Sequence, residues 1–287
     1  MDTTPPDASG GAGERDELPP FSRPLFGWFM VWVRRMMRRQ FHALRLLADG
    51  AGAHDAPDIG SEPVIFYTNH PGWWDPLVFF TVAGALWPDR LNYGPIDAAA
   101  LGRYRFLERI GLVGIEPGTR RGATRFLRTA RAAGRRGDVI FWVTAQGEFA
   151  DPRQRPVVLR PGVAHAAAAN TRGLIVPVAV EYPFWSERLP EVLVAFGEPM
   201  PMGRGRAGES LTAREWTTLL STRLEATQDR LAAAACRRDP ALFRTLLSGD
   251  VGVGGIYDVG RRLRAWTRGE KFDPSHGGEA SRQRGGA

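Results

Sequence analysis

A chain of 287 residues, 43% of them hydrophobic, is long enough to bury one sizeable core, and its single cysteine, Cys236, excludes an intramolecular disulfide and Cys-based metal sites. The net charge of +7 says little about partners by itself, because every one of the 38 basic residues except Lys271 is arginine, a skew of composition rather than a selected code. How that charge is distributed is more informative.

Residues 1–20 carry five acids and one arginine amid Gly, Pro and Ala, and are expected to be a disordered tail; the Gly-rich, polar residues 275–287 are expected to be another. Residues 21–47, "FSRPLFGWFMVWVRRMMRRQFHALRLL", carry six arginines and no acid. Their uninterrupted apolar stretch runs only from Leu25 to Val33, whereas a spanning helix needs about 20 such residues. A secretory signal is a poor match too, since the charges follow the apolar run and no small-residue cleavage site comes after it. Trp28, Phe29, Trp32, Met36 and Phe41 alternating with Arg34, Arg35, Arg38 and Arg39 fit a basic amphipathic helix lying in the interface of an anionic bilayer. The same periodicity also serves a first helix whose apolar stripe is core.

No Pro/Gly/Ser-rich linker divides the middle, so one domain over residues 55–270 is expected. Within it, residues 64–68 read as a buried strand and 75–84 as a helix; 91–95 read as a weak strand, 98–110 as a helix and 112–115 as a short strand. Helical spacing follows over 119–133 through Ala123, Phe126, Leu127 and Ala130. A buried strand over 138–144, an Ala-rich helix over 162–170 and strands over 174–180 and 192–196 come next. Thr212 and Glu215 form a capping-box pattern that opens a long helix reaching about residue 238, before Pro240. Strands alternating with helices predict an α/β fold with a mixed, largely parallel sheet flanked by helices, preceded by the amphipathic helix. In such folds the chemistry sits at the carboxyl ends of the strands, where His70, Gln146 and Tyr182 fall.

The stretch "NHPGWWDP", residues 69–76, ends the first of these strands. A bare His-x-x-x-x-Asp spacing is weak, since five histidines and sixteen aspartates in 287 residues supply roughly 0.3 copies by chance. Its context is stronger. A Gly allows a tight turn, and a Pro follows at what would be a helix N-terminus. Across such a turn the Asp75 carboxylate can reach one nitrogen of His70 and fix the tautomer, leaving the other nitrogen to accept a proton from a hydroxyl.

These residues resemble the first motif, Asn-His-x-x-x-x-Asp, of the glycerolipid acyltransferase superfamily, 1-acylglycerol-3-phosphate type. Three further blocks are similar to that family's and come in its order: "GLVGIEPGTRRGATRFLRTA" at 111–130, "VTAQGEFADPRQRPVVLRPGVAHAA" at 143–167 and "LIVPVAVEY" at 174–182. Together they cover roughly residues 60–200. The resemblance implies a glycerolipid acyltransferase-like fold and transfer of a fatty acyl group from acyl-CoA or acyl carrier protein to a hydroxyl of a lipid acceptor, as in phospholipid biosynthesis. His70 would be the general base and Asp75 its orienter; no acyl-enzyme, cofactor or metal is called for. A peripheral place at the cytoplasmic face of the cell membrane, through residues 21–47, is expected with it.

The family's third block reads Pro-Glu-Gly-Thr-Arg, and its Arg is associated with the acceptor's phosphate. This chain has Gln146-Gly147-Glu148-Phe149 there, and Phe149 cannot take that role. Arg153, Arg155 and Arg160 from the following segment, or Arg120 and Arg121 from the second block, are the candidates to replace it. With Asn69, Gln146, Gly147 and Glu148 they make up the expected substrate-binding set. The departure leaves three readings open: a glycerol-phosphate acceptor, a glycolipid or amino-acid lipid acceptor, and a membrane-associated binding protein that kept the fold without catalysis. Glu181, Glu187 and Arg188 are weaker candidates for acceptor contacts, and His165 reads as an ordinary helix residue. Nucleic acid is a poor partner, since the basic excess follows an apolar stripe and no nucleic-acid module is recognisable.

Overall fold

The computed structural model describes residues 18–48, 56–203 and 210–249, so the tail expected over 275–287, most of that over 1–20, and residues 250–270 lie outside the described residues. Helix α1 (Arg23–Gln40) and strand β1 (Ala43–Leu47) come first. Alternation then sets in: β2 (Val64–Thr68), α2 (Asp75–Leu86), β3 (Leu91–Asp97), α3 (Ala98–Arg103), β4 (Leu112–Ile115), α4 (Arg120–Ala133), β5 (Val139–Thr144), α5 (Pro161–Ala169) and β6 (Leu174–Glu181). The chain closes with β7 (Glu191–Phe196), the short β8 (Met200–Pro201), α6 (Ala213–Arg237) and β9 (Phe243–Ser248).

Nine strands form one sheet in the order β4-β3-β5-β2-β6-β7-β1-β9, with β8 beside β6. The five from β4 to β6 run parallel, β7 is antiparallel to β6, β1 parallel to β7, and β9 antiparallel to β1. Helices cover both faces, so β2 reads "VIFYT" with all five residues buried, the continuous apolar run of a doubly covered parallel strand. On one face Phe66 and Trp142 pack against Val78 and Phe79 of α2 and the Phe29–Val33–Met37 stripe of α1. On the other, Tyr67, Phe141 and Ile175 pack against Ala130 of α4, Ala164 and Ala167 of α5, and Trp216, Leu220 and Leu224 of α6. The capping box is formed as its sequence requires: Thr212 Oγ1 accepts from the Glu215 N–H, and the Glu215 carboxylate accepts from the Thr212 N–H.

Three expectations are revised. Residues 21–47 are not one helix: α1 stops at Gln40, and Ala43–Leu47 enter the sheet between β7 and β9, so the domain begins before residue 55. Arg45 obscured this strand, because a charged residue amid five buried positions is tolerable only when it is satisfied. Its Nε donates to Glu191 at 2.9 Å and its Nη1 to Thr245 at 2.8 Å, tying β7, β1 and β9 together. Second, the helix read over 98–110 breaks at Tyr104 into α3 and a 3₁₀ turn, Arg105–Ile110. Third, β8 and β9 carried no signal that local pattern reading catches; β9 lies at the sheet edge with Phe243 and Leu247 buried and the adjacent Arg244 and Thr245 exposed, so it lacks a strand's two-residue alternation.

Because Arg45 and Glu191 are both buried, at 8% and 2% exposure, removing one partner leaves the other charge uncompensated. Glu191→Ala is expected to cost about 3–5 kcal/mol in urea denaturation, more than a surface ion pair of the same geometry would.

Candidate functional site

The site is built where β2 ends between its two neighbours, β5 and β6. Thr68 accepts the last ladder bond, from the Ala145 N–H at 2.9 Å, and the chain then leaves the sheet. Asn69, fully buried, replaces strand pairing with its side chain: its amide donates to the Val180 carbonyl and accepts from the Val180 N–H, both at 2.9 Å. From the other side the His70 N–H donates to Oε1 of Gln146 at 2.9 Å, and the His70 carbonyl accepts from the Ala150 N–H at 3.0 Å. His70 is thus clamped at its backbone before its ring is considered.

The ring is oriented by Asp75, the first residue of α2. Nδ1 of His70 lies 2.5 Å from Oδ2 of Asp75, which also accepts from the Gly72 N–H at 3.2 Å. The other carboxylate oxygen, Oδ1, accepts from the hydroxyl of Tyr182. Asp75 has no exposed surface, so these donors and the N-terminal end of α2 stand in for water around its charge. Tyr182 is pushed well above the ordinary phenol range, first by burial, then by the negative charge of Asp75 and by the hydrogen bond to it, so it stays a protonated donor. With Nδ1 engaged, Nε2 is the ring's free nitrogen: the His70 side chain keeps 18% of its surface exposed and forms no other side-chain hydrogen bond among the described residues. An imidazole so held can take a proton at Nε2 and return it.

The remaining predicted residues divide. Gln146, 9% exposed, positions His70 rather than facing a ligand. Gly147 turns the chain at φ +70°, where an added Cβ would sit 2.7 Å from Cγ of Arg160, so the glycine is required both by conformation and by space. Glu148 is exposed, and Phe149, 64% exposed, brings its ring centroid 4.6 Å from that of His70. Arg153 is engaged by Asp151, with Nε donating at 2.9 Å and Nη2 at 2.6 Å. Arg155 donates to Asp229 of α6 at 3.1 Å and to the Pro152 carbonyl at 2.8 Å. Arg160, the N-cap of α5, is exposed and forms no ion pair among the described residues. Arg120 and Arg121 open α4, which follows β4, three strands along the sheet from β2, and both are exposed.

Against the first turns of α2, a narrow apolar pocket of about 40 Å³ is lined by Pro76, Phe79 and Phe80 of α2, Ile96, Leu112 and Trp142. Trp142 is stacked on Phe79 at 4.8 Å and donates its indole N–H to Asn92 at 3.0 Å. Trp74 packs against Phe41 at 5.0 Å, whereas Trp73 is 64% exposed. Glu181, at the end of β6, is half-buried; burial raises its carboxyl above the ordinary range, and Arg155 and Arg153 offset part of that. Tyr182 was visible in sequence only as a residue at a strand end; its hold on Asp75 needed the β2–β6 pairing to become apparent. No protein-family model and no curated protein matches this chain.

Losing the Tyr182 hydroxyl leaves Oδ1 of Asp75 buried without that donor. Tyr182→Phe is expected to destabilise the fold by about 1–3 kcal/mol at neutral pH, read from denaturant midpoints at unchanged m-value.

Proposed function

We propose that the protein is an O-acyltransferase of the glycerolipid type, moving a fatty acyl group from a thioester of CoA or acyl carrier protein to a hydroxyl of a lipid acceptor. The observation that carries this reading is the His70–Asp75 pair at 2.5 Å, held on a buried carboxylate at the carboxyl edge of the parallel strands with Nε2 left over. Nε2 takes the acceptor's hydroxyl proton as its oxygen attacks the thioester carbonyl. The tetrahedral adduct collapses with cleavage of the C–S bond, and the imidazolium returns the proton to the departing thiolate. Asp75 stabilises the imidazolium between these steps, and Tyr182 and Gly72 hold Asp75 in place. The energy for ester formation comes from the thioester, so the step asks for no further cofactor. Arg160, with no acid partner among the described residues, suits the phosphate common to CoA and the phosphopantetheine arm of a carrier protein.

His70→Ala is expected to lower acyl transfer by about 10²–10⁴, the usual weight of a positioned general base, without loss of the folded state. Incubation of the purified variant with labelled acyl-CoA and a total lipid extract measures this, and unchanged turnover would overturn the mechanism.

The reading includes peripheral attachment to the cytoplasmic face of a membrane through α1. Its buried stripe packs on the domain, but Trp28, Val31 and Trp32 remain 68%, 69% and 47% exposed, and Arg34, Arg35, Arg38 and Arg39 are all exposed. No described helix is long and apolar enough to cross a membrane. The end of α1 meets the catalytic loop through Phe41 and Trp74, so contact through α1 would bring His70 to the lipid surface. Replacing Arg35 and Arg39 by Gln is expected to weaken sedimentation with anionic vesicles by about tenfold or more, at about 1 kcal/mol per arginine, and to leave weak binding to neutral vesicles unchanged.

A further inference from the structure

We propose, resting on the acyl-transfer reading, that the acceptor offers His70 a neutral, hydroxyl-rich group, the glycosyl or polyol headgroup of a lipid, and that Phe149 selects it. The Phe149 ring stands 4.6 Å from the imidazole and is 64% exposed, so an apolar face forms one wall beside the base. A phosphate monoester gains nothing from such a wall, whereas the C–H face of a sugar or polyol packs on it.

The electrostatics point the same way. Asp151 takes one fork of Arg153, Nε and Nη2, and Arg155 is held by Asp229 and two backbone carbonyls. Glu181 lies in the field of the same two arginines, so a ligand phosphate would have to compete with carboxylates already beside them. Glu181 itself makes no hydrogen bond through its carboxylate among the described residues, leaving its oxygens available to acceptor hydroxyls. Arg160 is the cation left in this segment, and its stem lies against the Gly147 turn.

The test compares the purified full chain and its Phe149→Arg variant with labelled palmitoyl-CoA and two acceptors in the same mixed micelles, glucosyl diacylglycerol and lysophosphatidate. The wild-type protein is expected to use the glucosyl lipid at least about tenfold better in kcat/KM. Phe149→Arg is expected to move that ratio toward lysophosphatidate by about ten- to a hundredfold, the weight of a charge-assisted contact. Wild-type preference for lysophosphatidate overturns the inference, as does a Phe149→Arg ratio that does not move. His70-dependent product from a total lipid extract but from neither pure acceptor overturns it too while leaving acyl transfer standing. No His70-dependent product from any lipid overturns both.

Discussion

A carboxylate with no exposed surface and no guanidinium partner is the constraint around which this structure is arranged. Burying a charge is expensive unless donors replace its water, and Asp75 has the His70 imidazole, the Gly72 amide, the Tyr182 hydroxyl and the first turn of α2. The loop after β2 supplies His70 and Gly72, and the end of β6 supplies Tyr182. The loop must turn tightly to return Asp75 to His70, and β6 must run parallel beside β2 for Tyr182 to end its strand at the right height. On the other flank β5 delivers Gln146 to the His70 N–H. The strand order β5-β2-β6 is therefore what makes the pair possible, and the hydrophobic layers on both faces hold those strands in order.

Much of this was legible in the sequence, and the rest was hidden for identifiable reasons. Strands such as "VIFYT" and "DVIFWVT" announce themselves because both faces are buried, and α6 is marked by its capping box. The His70–Asp75 contact follows from a short-range turn, so local reading reached it. Tyr182 and Gln146 acquire their roles only through strand pairing over 76 to 107 residues of sequence separation, which no local pattern encodes. Strand β1 was masked by Arg45, whose partners Glu191 and Thr245 are more distant still. Among the arginines, sequence alone could not separate Arg153 and Arg155, each already matched to an acid, from Arg160, which has no acid partner among the described residues.

Two charge patterns of opposite character meet at one edge of the molecule. The exposed arginines of α1 have no acid beside them in sequence, whereas the segment following β5 places an acid against each of its first two arginines. The first pattern favours an anionic surface, the second disfavours an anionic ligand beside the base. A protein that docks on charged lipid while acting on an uncharged headgroup would need both. Phe149 and Trp73, both 64% exposed and flanking the same loop system, extend the apolar side of that arrangement.

The central claim is that Asp75 holds His70 with its proton on Nδ1 and leaves Nε2 to act as the base. Nitrogen chemical shifts of His70, recorded by NMR on labelled full-length protein under conditions where the imidazole is neutral, read the tautomer directly. The account predicts a protonated Nδ1 and an unprotonated Nε2, and loss of that preference in Asp75→Asn. A His70 ring protonated on Nε2 in the wild-type protein would contradict it.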